Sequence, residues 1–67
     1  MAKGTVKFFN QTKGYGFIQP SDGSKDVFVH ISAVQRAGLD GLSEGQTVSF
    51  EVSMERGKPA ATNLKAE

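Results

Sequence analysis

Between Gly14 and Ile31 the side chains sort by parity into two chemistries. Successive residues of an extended strand point to opposite faces, so Tyr15, Phe17 and Gln19 share one side of a segment whose other side carries Gly14, Gly16 and Ile18. The pattern then repeats. After Pro20-Ser21-Asp22-Gly23-Ser24, the residues Asp26, Phe28 and His30 point one way and Val27, Val29 and Ile31 the other. Asp22-Gly23 supplies the positive-φ position of a tight turn, which predicts that the two segments are antiparallel neighbours. Such a hairpin has an aliphatic face and an aromatic face, and a small domain can bury only one. Branched aliphatics fill a small barrel well, so Ile18, Val27 and Val29 are expected inside with Val6, Val48, Phe50, Val52 and Leu64. Tyr15, Phe17 and Phe28, with His30, are then left outside. Apolar rings grouped on an open face mark a binding surface. Glycines inside a strand mark close approach of a ligand or of another backbone, which is how Gly14 and Gly16 are read.

Five extended segments are predicted, near Thr5 to Asn10, Tyr15 to Gln19, Asp26 to Ile31, Thr47 to Met54 and Ala60 to Leu64. Gln11 to Gly14 and Arg56-Gly57-Lys58 are short hairpin connections. In the fourth segment Val48, Phe50, Val52 and Met54 alternate with Ser49, Glu51, Ser53 and Glu55, which predicts one core face and one wet face. Phe8 and Phe9 are consecutive, so one faces in and the other out. Ser32 to Gly45 shows neither period; Ser32 with Gln35 three residues on resembles a capping box, giving one helical turn through about Ala37 before Gly38 ends it. The remainder is loop.

Sixty-seven residues are expected to form a single domain, residues 1–67, burying only about 60% of the surface of the unfolded chain. That leaves one small core and no deep catalytic cleft. With no cysteine and the single His30, neither a disulfide framework, a metal site nor a cofactor is expected. Apolar runs are short and the N-terminus lacks the apolar region of a secretory signal, so a cytoplasmic protein without membrane contact is expected. The net charge of +1 hides an uneven distribution. The first twenty residues hold Lys3, Lys7 and Lys13 and no acid, whereas residues 32–67 set Arg36, Arg56, Lys58 and Lys65 against Asp40, Glu44, Glu51, Glu55 and Glu67. An anionic ligand responds to local potential. Rings that accept successive bases, interleaved with lysines that meet phosphates, are the chemistry of single-strand binding, and Lys7 and Lys13 flank the aromatic strands.

Lys13-Gly14-Tyr15-Gly16-Phe17-Ile18 matches the ribonucleoprotein string K/R-G-F/Y-G/A-F-V with Ile for Val, although Pro20 stands where that string expects an aromatic. RNA-recognition motif domains share the string but need two amphipathic helices, and this chain offers about one turn. Together with Val27-Phe28-Val29-His30 and Gly4-Thr5-Val6-Lys7-Phe8-Phe9-Asn10, it resembles the bacterial cold-shock protein family over nearly the whole chain. The resemblance implies an all-β, five-stranded antiparallel barrel of the oligonucleotide-binding type, a monomer acting on single-stranded RNA and single-stranded DNA as an RNA chaperone, transcription antiterminator or regulator of translation. It also implies that Phe8 is the outward ring of its pair. Carried over by position, the binding surface is Lys7, Phe8, Asn10, Lys13, Tyr15, Phe17, Asp26, Phe28 and His30, with Arg56 near the rim. His30 is either a packed aromatic or a partial stacking and hydrogen-bonding group. Phe8 stands where the family commonly has tryptophan, Ile31 where many members have phenylalanine, and Leu39 where a loop aromatic is frequent, so fewer stacking rings imply weaker binding or a shorter footprint.

An enzyme is the first rival. Gly14-Tyr15-Gly16 superficially suggests a dinucleotide loop, but Gln19 stands where the third glycine is needed and no paired carboxylates appear, so no catalysis is expected. A small barrel binding peptide or oligosaccharide is the second rival, and salt separates it from a phosphate binder, whose affinity falls with ionic strength.

Overall fold

The computed structural model describes residues 2–66. The turns predicted from Asp-Gly and Arg-Gly chemistry each close a hairpin, and the strands they join close into a barrel. The strands are β1 (Ala2–Asn10), β2 (Tyr15–Pro20), β3 (Val27–His30), β4 (Thr47–Glu55) and β5 (Lys58–Ala66), with one short helix, α1 (Ile31–Arg36), after β3. The barrel order is β1-β2-β3-β5-β4. Every pairing is antiparallel except β3 with β5, which meet in parallel at Phe28 and Ala60 among the described residues.

The core is the aliphatic set. Val6, Ile18, Val27, Val29, Val48, Phe50 and Leu64 are buried, joined by Ala61 and by Val34 of α1 and Leu42 of the following loop. Val34 and Leu42 lie in the segment without periodicity, so their burial depends on α1 folding back over the barrel. The helix itself corrects the capping expectation. His30, not Ser32, is the N-cap: its backbone is extended and its side chain accepts from the Ser32 N–H. Gly38 N–H then donates to the Gln35 carbonyl where the helix ends, as expected.

Strand β4 corrects a second expectation. Val48 and Phe50 are buried, but Val52 is 51% and Met54 66% exposed, while Ser49 on the supposedly wet face is buried. β1 pairs with β4 only as far as Ala2 opposite Phe50. Beyond that point, among the described residues, β4 continues with β5 alone and no strand lies on its other side to cover Val52 and Met54. Val52 borders a shallow hollow with Ala2, Val27, Phe50 and Pro59 at the barrel end. Alternation assigned it the right face at a height where the barrel no longer closes.

Gly16 is explained by another backbone. A Cβ there would stand 2.8 Å from the Phe9 Cα and collide with the Phe8 carbonyl, so β1 and β2 approach too closely for any side chain. Gly14 has φ +82 in the β1–β2 turn, the left-handed region that glycine occupies without strain. Neither glycine needs a ligand to account for it.

Candidate nucleic-acid interface

The strand register lays the outward side chains of β1, β2 and β3 in two rows. Phe8 is opposite Phe17, and Phe17 opposite Phe28; one step along, Asn10 is opposite Tyr15, and Tyr15 opposite His30. Cross-strand neighbours stand close enough for rings to touch. Phe8 and Phe17 centroids are 5.6 Å apart, and Phe17 meets Phe28 edge to face at 5.9 Å. Tyr15 lies stacked with Phe28 at 6.0 Å, and His30 is 6.4 Å from Phe28. The result is a continuous aromatic surface, each ring supported at its edge by a neighbour. Tyr15, Phe17 and Phe28 are half-buried by this mutual packing, and Phe8 is 38% exposed.

Phe8 reaches this face through an irregularity. Strict alternation from buried Val6 would send Phe8 inward. Val6 pairs with Ile18 and Phe8 with Phe17, so β1 holds one extra residue between them. A bulge of this kind re-aims the side chains that follow. Lys7 and Phe8 both lie on the exposed side, and Phe9 turns inward to pack against the core. The Lys7 ammonium donates to Asp26 Oδ2 at 3.0 Å. Asp26 precedes β3 rather than belonging to it, and the exposed pair ties its loop to the bulge. Such a pair contributes little to stability, so an incoming phosphate can compete for Lys7 at small cost.

Two of the polar residues have local structural partners. Asn10 Oδ1 accepts from the Lys13 N–H at 2.9 Å, and the Asn10 carbonyl accepts from the Gly14 N–H at 2.7 Å. Asn10 thus fixes the turn that holds Lys13 exposed at the edge of the Tyr15 row. His30 Nδ1 accepts from the Ser32 N–H at 3.1 Å and lies 3.0 Å from the Ser32 hydroxyl. An Nδ1 engaged as acceptor leaves the proton of the neutral ring on Nε2, free to donate. Ser32, read from the sequence as a helix cap, is instead the partner of the His30 ring. Arg56, at φ 52 in the β4–β5 turn, stands at the rim of a hollow of about 570 Å³ beside Phe28 and His30. Ile31 and Leu39 are half-buried.

A family model described as the "'Cold-shock' DNA-binding domain" matches residues 2–66. The chain is 65% identical to "Probable cold shock protein y4cH" of Sinorhizobium fredii, over 98% of this chain and 99% of the relative. It is 57% identical to "Cold shock protein CspA" of Rhizobium meliloti over the same shares, and 59% identical to "Cold shock-like protein CspC" of Shigella flexneri over 96% and 93%.

Proposed function

The chain belongs to the cold-shock DNA-binding domain family, and from that premise we propose that it binds single-stranded RNA and DNA by stacking bases on the Phe8, Tyr15, Phe17 and Phe28 rings, with His30 at the end of the row. Lys7, Lys13 and Arg56 meet phosphates, and Asn10 and Asp26 offer polar atoms beside the rings. The observation that carries this reading is the aromatic surface itself: rings from three strands, in register, outside a barrel whose interior is already filled. Stacking supplies affinity without demanding one base, because every base has a π face. A strand held open on such a surface cannot pair with itself. That supports work as an RNA chaperone, transcription antiterminator or regulator of translation in the cold-shock response, carried out by a cytoplasmic monomer of one domain.

Titration of labelled single-stranded and duplex oligonucleotides at two salt concentrations tests the reading. Single strands are expected to bind more tightly, with log affinity falling by roughly 2 per log unit of salt if about three phosphates are neutralised. Equal or tighter binding to duplex overturns it, and salt-independent binding points instead to a neutral ligand.

A further inference from the structure

His30 is an uncommon helix cap. Serine, threonine, aspartate and asparagine are the side chains that ordinarily accept from the first N–H groups of a helix, and any of them at this position could satisfy the Ser32 N–H. What an imidazole adds is a second nitrogen on the far side of its ring. His30 is exposed, and among the described residues its Nε2 has no hydrogen-bond partner, whereas Nδ1 lies 3.1 Å from the Ser32 nitrogen and 3.0 Å from the Ser32 hydroxyl.

The surroundings hold the ring in this attitude. His30 pairs with Tyr15 of β2, and directly after it the Ile31 N–H donates to the Gly14 carbonyl at 2.9 Å, so the end of β3 and the start of α1 are both tied to the start of β2. The ring leans on Phe28, 6.4 Å away at a tilt of 37°. A half-turn of the imidazole would set a carbon against the Ser32 N–H and forfeit the cap. The other neutral tautomer fails in the same way: a proton on Nδ1 would oppose one donor to another, and the first N–H groups of a helix have no acceptor inside it. The cap thus fixes which nitrogen carries the proton as well as which way the ring faces.

We propose that this division of the ring is functional: the Ser32 N–H keeps His30 as the Nε2–H tautomer, and Nε2–H donates to an acceptor of the bound single strand, a phosphate oxygen or a base carbonyl. Ser32 is then a positioning residue that acts on the ligand through His30. The proposal rests on the single-strand reading above and adds to it a directed hydrogen bond that a purely stacking ring could not make.

Two substitutions take the ring apart. His30→Asn places its oxygen near the position of Nδ1 and keeps the cap without a donor at Nε2; His30→Gln carries an amide to the Nε2 position and lacks the cap. Both lose the ring, so the loss of stacking is common to them. Against an all-thymine heptamer, His30→Gln is expected to bind about fivefold more tightly than His30→Asn, the worth of one hydrogen bond. The melts should run in the opposite order, His30→Asn about 5 °C above His30→Gln, the worth of one cap. Nitrogen-15 NMR of the parent protein, which alters no residue, should show the neutral His30 ring protonated at Nε2. A heptamer with neutral methylphosphonate linkages loses the advantage of His30→Gln if the acceptor is a phosphate oxygen and keeps it if the acceptor is a base carbonyl. Equal affinities of the two variants for the ordinary heptamer, tighter binding by His30→Asn, or a neutral ring protonated at Nδ1 would each overturn the proposal while the ring reading stands. If the parent protein itself fails to bind the heptamer, both fall.

Discussion

The β2–β3 hairpin and strand β4 carry similar alternating patterns and meet different fates. In the hairpin every outward ring sits opposite another ring, and Ile18, Val27 and Val29 are buried beneath. In β4 the same two-residue period runs through Val48, Phe50, Val52 and Met54, yet only the first two are covered. Parity determines which way a side chain points. Burial needs a neighbouring strand at the same height, and among the described residues β1 supplies one only as far as Ala2.

The largest effect expected from this contrast is on folding. Ile18→Ala should cost about 2 to 4 kcal/mol in a denaturant melt, because a residue with no exposed surface leaves a cavity that a close-packed barrel cannot fill. Val29→Ala should behave in the same direction. Binding by the folded fraction should survive. Next come the rings: Phe17→Ala or Phe28→Ala should each weaken single-strand binding by about 1 to 3 kcal/mol, with a smaller loss of stability from the severed ring contacts. Were the ring variants to unfold while the aliphatic ones lost only affinity, the sheet would be inside out.

Lys7→Ala probes the bulge. It should lower the slope of log affinity against log salt by about 0.7, one phosphate contact, while barely moving the melt, since the Lys7–Asp26 pair is exposed. A slope identical to the parent protein's would remove Lys7 from the phosphate track. Val52→Ala sharpens the comparison from the other side. Despite its place in the alternation it should shift stability by less than about 1 kcal/mol, far below Ile18→Ala, and a cost equal to a core residue's would show that the barrel closes higher than Ala2.

The smallest effect is expected in the β2–β3 turn. Hydrogen bonds from the Ser24 side chain, and then from its backbone N–H, hold the Asp22 carboxyl below its ordinary value of 3.8. A carboxyl depressed in the folded state stabilises it above the ordinary value and loses that contribution as pH falls through the depressed one. Asp22→Ala should therefore melt slightly below the parent protein at neutral pH, and the gap should close in acid. A gap that widens in acid would contradict the hydrogen bonds.

Much of the aromatic face was legible because the hairpin is local. Tyr15, Phe17, Phe28 and His30 follow from the period of the pleat and the Asp22-Gly23 turn, with the interior recognisable by its branched chains. Phe8 was assigned outward only through family resemblance, since counting from Val6 gives the wrong face. The irregularity of β5 was not legible: Asn63 reads as an ordinary strand residue, yet its φ is 51. His30 as helix cap was hidden for another reason, because Ser32 and Gln35 offer a plausible cap of their own.

By itself, then, the order of residues determined the five strands, their turns and the two chemistries of the central hairpin, because these depend on backbone geometry over a few neighbours. Tertiary structure decided the rest: where β1 gains its extra residue, where β4 loses its cover, and where β5 gains an extra residue beside Asn63. Those outcomes are set by the register in which paired strands meet as the barrel closes, and a shift of one residue in that register reverses every face after it.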